Sequence, residues 1–458
     1  MIKKCIAILL PVAIGGLTTS IQAATLEEIY QQALESDHTY KAAQANLDVG
    51  KESSKIGLAG LLPSVNATAS YTEQTTDSSG KLDDGTDLDK SSVDGTTSGY
   101  QVTLRQPLFN MNSWYRYQNG RATSDIAEER FDIAEESLIL RTATAYFDAL
   151  QAVDNLSTAK AEENALSHQL EQTRQRFEVG LTAITEVHEA QAVFDSATAE
   201  RLLAEGQLGI SFEALEVLTG RPQSSLAPLK KDLPVASPVP AERTAWVEMA
   251  LKNNNTLQVE KLNADAAKFN KKAATANHLP TVTFEAGYSD YTNEGYSQNF
   301  GQDGEFDTQE QTIGVVLSVP IFNGGGTSAS RRQAAKQYIA AREVMSQTQR
   351  DVIQQTRSRH LTVLTNVATV KARSQAIVSN QSALEATQAG YDVGTRDLVD
   401  VLNAQRNLYR AQRDYYDALY SYVLSTLELK QAAGTLSSED VAELNQWLDT
   451  SRNVTVSM

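Results

Sequence analysis

The chain has 458 residues, 41% of them hydrophobic and 7% aromatic, and 40 Lys+Arg against 57 Asp+Glu give a formal charge of -17. Such a length holds several domains or one large architecture with ample apolar material for a core, and so acidic a balance excludes nucleic acid, which is held by clustered Lys and Arg. The composition also excludes collagen-like and disulfide-rich classes, and the single cysteine, Cys5, excludes an intrachain disulfide and a Cys-based metal site.

The first 23 residues read as a secretory leader. Lys3 and Lys4 precede an apolar run from Ile6 to Gly16, and small residues lead to Ala23. The run is too short to span a membrane as a helix, and no later segment holds 18 consecutive apolar residues. Cys5 lies before the apolar run, where it is not placed for lipidation. Loss of the two lysines takes the charge of the exported chain from -17 to about -19. The destinations left are the periplasm, the exterior, or an outer membrane crossed by strands.

The rest of the chain is a tandem duplication. Leu62-Pro63-Ser64-Val65 returns as Leu279-Pro280-Thr281-Val282, and Pro107-Leu108-Phe109-Asn110 as Pro320-Ile321-Phe322-Asn323. Phe177-Glu178-Val179-Gly180 returns as Tyr391-Asp392-Val393-Gly394, with Ile184, Val187, Ala190 and Gln191 answered by Leu398, Val401, Ala404 and Gln405. The first repeat, 24–219, reads as helix, β-hairpin over 63–109, long helix over 112–177, tip turn at 178–183 and helix. A proline-rich stretch, 220–242, is expected to run over the surface as a linker. The second repeat, 243–434, follows with helix, hairpin over 280–322, long helix over 327–391, tip turn at 392–397 and helix; 435–458 is a C-terminal segment.

Each strand alternates. Val65, Ala67, Ala69 and Tyr71 share one face, as do Tyr100, Val102 and Leu104, then Val282, Phe284, Ala286 and Tyr288, then Ile313, Val315, Leu317, Val319 and Ile321. Period two with one apolar face fits a lipid-facing barrel strand of roughly 9–11 residues and equally a soluble antiparallel sandwich. The stretches 72–99 and 290–310, rich in acids, read as long polar loops, which favours the barrel and places them on its outer side. Neither has the spacing of an EF-hand.

The helix over 112–177 has no proline, and its 66 residues would reach roughly 100 Å. Ala145, Ala149, Ala152, Leu156, Ala159, Glu163, Leu166, Leu170, Thr173 and Phe177 step by fours and threes, a heptad seam; the second repeat gives a more polar one from Val363 to Tyr391. So narrow a seam covers one helix contact and leaves the other faces to partners or water.

Motifs for chemistry are sparse. His38, His168, His188, His278 and His360 are scattered without ligand spacing, and His188 beside Glu186 and Glu189 reads as a solvated helix position. Gly324-Gly325-Gly326-Thr327-Ser328-Ala329 matches the GxGxxA form of a dinucleotide loop, but it follows a one-sided strand, whereas a Rossmann strand is buried on both faces. The glycines read better as a bend from sheet into helix. No enzymatic activity, cofactor or resident metal is expected.

The duplicated plan, the Pro-Leu-Phe-Asn and Pro-Ile-Phe-Asn-Gly-Gly strand exits, and the paired Arg-Phe-Glu-Val-Gly-Leu and Gly-Tyr-Asp-Val-Gly-Thr-Arg turns resemble the TolC family of outer-membrane efflux channels. The stretch Asp397-Leu398-Val399-Asp400-Val401-Leu402-Asn403-Ala404 is the most specific part of a similarity that covers the chain from Ala24 onward. The resemblance implies a mixed fold, with long α-helical coiled coils forming a periplasmic tunnel and four strands per chain completing a 12-stranded β-barrel in a homotrimer. It implies a duct for multidrug efflux or type I secretion. The partners would be outer-membrane lipid, a periplasmic adaptor (membrane fusion protein) and an inner-membrane pump of the resistance-nodulation-division or ABC type.

By the same resemblance the helix tips close the periplasmic entrance. Arg396 falls on the gate arginine, Glu186 and Thr185 on its partners in the neighbouring coil, and Tyr391 and Gln169 on a second locking pair. Asp400 falls on an acidic ring that faces the threefold axis, and Asn403 stands where the family's second ring has aspartate. The tip turns, Val179, Gly180, Leu181, Val393, Gly394 and Thr395, would meet the adaptor. The competing expectation is a periplasmic coiled-coil adaptor or scaffold without a pore.

Overall fold

A helix that must bury only a seam can grow as long as its partners do, and a strand stays in register where one face is apolar; both rules govern this chain. The computed structural model describes residues 23–87, 91–230, 232–297, 302–452 and 454–455. The expected leader lies outside the described residues apart from Ala23. The elements are α1 (Leu26–Ser36), α2 (His38–Ala59), β1 (Ser64–Ser78), β2 (Ser91–Phe109), α3 (Met111–Glu178), α4 (Ile184–Thr219), β3 (Ser225–Leu226), α5 (Arg243–Asn253), α6 (Asn255–Ala276), β4 (Thr281–Ser297), β5 (Gln302–Ser318), α7 (Gly326–Asp392), α8 (Leu398–Ala432), α9 (Ser438–Asn445) and β6 (Val454–Thr455). The helix α3 has 68 residues and α7 has 67, and α2 and α6 have 22 each, so the two repeats match in element order and in length.

The chain divides into two compact units. One comprises residues 42–134 and 253–354 and carries a four-stranded sheet of order β1-β2-β4-β5, antiparallel throughout. The register pairs Val65 with Leu104, Leu104 with Ala286 and Ala286 with Ile313, so the apolar residues of all four strands share one face. Within the chain that face stays uncovered: Tyr71 is 72% and Ile313 79% exposed. On the other face Arg105 lies opposite Glu285, with 3.4 Å between Nε and Oε1. No helix of the described residues is long and apolar enough to cross a membrane.

The sheet corrects the expected loops. Most of 72–99 and 290–310 is strand, with Glu73 paired to Thr96, Asp94 to Thr75 and Thr292 to Asp307. Backbone pairing continues past the apolar band because Thr and Tyr favour the pleat, and a strand polar on both faces shows no hydrophobic period. Thr292 Oγ1 donates to the Asp307 carboxylate at 2.7 Å in this polar extension. Conversely, β5 stops at Ser318, short of the alternation through Ile321, because Pro320 lacks a ladder donor. Gly324 and Gly325, with φ of 55° and 80°, then turn the chain into α7. In the first repeat β2 carries Pro107 through a register shift instead.

The other unit comprises the described residues within 1–41, 135–252 and 355–458. Its core joins Leu26 and Ile29 of α1, Leu138, Tyr146, Phe147 and Leu150 of α3, Phe212 and Leu215 of α4, and Tyr420, Val423 and Leu427 of α8. The expected surface linker enters this core. Leu226 and Ala227 are fully buried, β3 pairs with β6 near the C-terminus, and the Tyr146 hydroxyl donates to the Ala227 carbonyl at 2.7 Å. Its prolines stop helix and sheet from extending but leave single apolar residues free to anchor. On the α3 seam Ala149, Ala152, Leu156, Ala159, Leu166, Leu170 and Thr173 are buried.

Asp37 joins α1 to α2. Its carboxylate accepts the Tyr40 N–H at 2.6 Å and two Arg141 guanidinium bonds at 2.9 and 3.0 Å, with only 6% of the side chain exposed. These bonds, the arginine's above all, hold the Asp37 carboxyl below its ordinary value. A lowered folded-state value means stability present above about pH 4, the unfolded carboxyl's range, and lost as pH falls through the folded value. Asp37→Asn should cost about 2–4 kcal/mol near neutrality through the unpaired arginine, while the amide oxygen keeps the cap on Tyr40 N–H. Denaturant melts of both proteins should show the difference shrinking below pH 4; a difference constant down to pH 2 would contradict the ion pair.

Candidate functional site

The two helix–turn–helix tips lie in the unit without the sheet and are built alike. After α3, Gly180 takes φ 76° and donates to the Phe177 carbonyl at 2.9 Å, while Leu181 N–H reaches Arg176 O at 2.8 Å. After α7, Gly394 takes φ 78° and donates to Tyr391 O at 3.0 Å, while Thr395 N–H reaches Gly390 O at 2.8 Å. Only glycine adopts that left-handed backbone at no steric cost. The second tip is the better capped: Asp397 Oδ1 accepts the Asp400 N–H at 2.9 Å, whereas Ala183 before α4 has no side-chain acceptor.

The tips are joined by an apolar cluster. Leu166 and Leu170 of α3, Ala190 and Ala197 of α4, Tyr391 of α7, and Leu398, Val401 and Leu402 of α8 are all buried in it. Tyr391 is the polar exception. Its ring lies under the Arg176 guanidinium, 4.9 Å from carbon to centroid, and its buried hydroxyl makes no hydrogen bond of ordinary geometry, though Arg176 and Glu186 are close enough to act on it. Burial pushes the phenol above its ordinary value; nearby Arg176 opposes that rise and nearby Glu186 adds to it. Gln169 is also buried, with its amide nitrogen unpaired.

Arg396 departs from expectation. Within one chain its guanidinium meets Asp400, one turn along, at 3.3 Å, with side-chain exposures of 60% and 42%. The i,i+4 spacing puts both side chains on one helix face, so within its own chain the arginine meets this aspartate, while its expected partners Glu186 and Thr185 belong to a neighbouring coil. Thr185 and Asn403 are exposed. Val179, Leu181 and Val393 are 69%, 72% and 76% exposed, so the end of each tip offers apolar side chains to solvent.

Residues 29–221 and 246–435 match the family described as outer membrane efflux protein. The chain belongs to that family. It is 37% identical to the outer membrane protein TolC of Vibrio cholerae, over 97% of this chain and 99% of that protein. It is 30% identical to the proteases secretion protein PrtF of Dickeya chrysanthemi, over 96% of this chain and 95% of that one. The crystal structure of the outer membrane protein VceC from Vibrio cholerae shares the fold, with a TM-score of 0.73 at 20% identity and coverage of 89% of this chain and 96% of that one. The family places the chain in the outer membrane.

The sequence reading missed Arg176, whose stacking on Tyr391 joins the end of α3 to the end of α7. Its one visible sign is the missing basic counterpart: the second repeat has Gly390 where the first has Arg176. The unpaired Tyr391 hydroxyl makes a specific demand. Tyr391→Phe should change stability by less than about 0.5 kcal/mol, because no hydrogen bond is lost, while Tyr391→Ala should cost about 3–5 kcal/mol in lost packing. Thermal unfolding of the purified protein measures both; a large loss for Phe would show that the hydroxyl is paired.

Proposed function

We propose that this chain is one third of an outer-membrane exit duct. Three copies close a 12-stranded barrel from four strands each, and the long helices continue it as a tunnel into the periplasm. A periplasmic adaptor and an inner-membrane pump of the resistance-nodulation-division or ABC type open it for multidrug efflux and type I protein secretion. One observation carries the reading: an antiparallel sheet with an uncovered apolar face and free edges on β1 and β5. In lipid an unpaired edge is untenable, so the sheet must close on copies of itself. A poreless scaffold has no use for that apolar face.

The tips supply the gate. Arg396 and Asp400 form an exposed pair, a class worth about 0–1 kcal/mol, so the arginine is easily diverted to Glu186 and Thr185 of a neighbouring coil. Three such links, with Tyr391 and Gln169 buried behind them, would hold the entrance shut by a few kcal/mol, within reach of a partner's differential binding. The apolar tip residues Val179, Leu181 and Val393, carried on Gly180, Gly394 and Thr395, are the surface on which the adaptor bears. Asp400 repeated around the axis favours cations. With Asn403 in place of a second acid, block by multivalent cations is weak.

In planar bilayers, Arg396→Ser with Tyr391→Phe should raise single-channel conductance several-fold. Arg396→Ser alone should also increase cation selectivity, since it frees the Asp400 carboxylate, and Asp400→Ala should reduce it. Conductance unchanged in the double variant at low and high salt would leave these residues as solvated helix ends.

A further inference from the structure

Above the tips, α8 is held to the first helix pair by a row of polar contacts. Tyr420 donates to Asp154 at 2.6 Å, Gln151 of α3 donates to Asp417 at 2.6 Å, and Arg413 meets Glu162 of α3 at 2.6 Å. Arg413 also reaches Glu200 of α4 at 3.5 Å, so one guanidinium ties α8 to both helices of the other hairpin. Glu162 is the most deeply placed of these carboxylates, with 5% of its side chain exposed. Beside it, Arg201 joins α4 to α3 through Glu163 at 2.8 Å. At the same level Arg373 of α7 meets Asp414 at 2.8 Å, so α7 and α8 are fastened to each other there.

Below Arg413 the character changes. From Leu398 to Leu402 α8 packs through the apolar cluster it shares with α3 and α4, and among the described residues Arg413 carries the ion pair from α8 to α3 and α4 that lies nearest the tip. The chemistry on the two sides of Arg413 responds differently to motion. Apolar contacts are non-directional and let helices slide or part by degrees. A hydrogen-bonded ion pair with a buried carboxylate tolerates little displacement, because Glu162 left alone is an uncompensated buried charge.

We infer that Arg413 is the positioning residue of the gate: its pairs with Glu162 and Glu200 fix the fulcrum below which the α7–α8 hairpin swings away from α3 and α4. The inference rests on the duct reading above and adds where the moving arm begins. Fifteen positions separate Leu398 from Arg413, an arm of about 22 Å at 1.5 Å per residue. If the arginine is removed, the next part-buried rung of the row, past the exposed Gln151–Asp417 bond, is Tyr420–Asp154, which lengthens the arm to about 33 Å on the same rise and enlarges the tip's excursion for a given tilt by about 1.5-fold.

Cysteine cross-linking in the Arg396→Ser background tests this, with Cys5 as the chain's single native cysteine. A disulfide between Glu162→Cys and Arg413→Cys pins the fulcrum, so the oxidised channel should conduct at the raised level of its Arg396→Ser parent, and reduction, which leaves the longer arm, should raise conductance further. A disulfide between Arg176→Cys and Tyr391→Cys pins the arm, so the oxidised channel should stay closed and reduction should raise its conductance several-fold. Closure by the upper cross-link would place the moving boundary above Arg413 and overturn the inference. Free conduction with the lower cross-link formed would show that this hairpin does not swing, and overturn it too. Arg413→Gln in the same background, with cysteines absent, should conduct more than its parent; equal conductance would mean that the ion pair only stabilises the bundle. A chain that conducts in none of these forms would count against the duct reading itself, a separate failure.

Discussion

The uncovered apolar face of the four-stranded sheet is the constraint on which the rest depends. A water-soluble domain would bury Tyr71, Ile313, Val315 and Leu317 against a second layer, and the described residues provide none. It also leaves the edges of β1 and β5 unpaired. Both deficits are met by one arrangement, a membrane around the apolar face and further copies of the same sheet along the edges. The tandem duplication is the economical route to it, since each repeat carries one hairpin and the β2–β4 pairing already joins them within the chain.

The helices obey the opposite logic. Their seams are narrow and partly polar, so most of their surface depends on neighbours, and the links at the tips are individually weak. Exposed pairs such as Arg396–Asp400 and an aromatic ring stacked under an arginine hold a position without locking it. Further up, the buried Glu162 and half-buried Asp154 carboxylates are bound to α8 by short polar contacts, and desolvation raises the Asp154 carboxyl above its ordinary value even with the Tyr420 bond opposing it. The gradient from weak at the tip to strong above it is what a device needs if a partner is to move one end while the other stays fixed.

Much of this was legible in the chain. The glycines of the tip turns announce themselves because only glycine takes the left-handed backbone that ends such long helices, and the two copies place them at a constant offset. The apolar strand faces were legible for the same reason, a strict period of two. The polar ends of the strands were not: Glu73, Asp94 and Asp307 sit in ladders whose register is set by backbone pairing, which leaves no hydrophobic trace. Nor were Leu226 and Ala227 readable as core, since single apolar residues among prolines have no period. The contacts of Arg176 with Tyr391 and of Arg413 with Glu162 join residues hundreds of positions apart, and charge alone does not say which acid an arginine will meet.

Closure of the sheet by copies of itself is the central claim, and cross-linking its two free edges tests it most directly. One cysteine at Thr68 on β1 and one at Thr312 on β5, in the same chain, would be bridged in native outer membranes by bis-maleimides of graded length. The expected result is a covalent ring of three chains, with single-cysteine controls giving no more than pairs. Monomers alone from the double-cysteine chain, across all linker lengths, would contradict it.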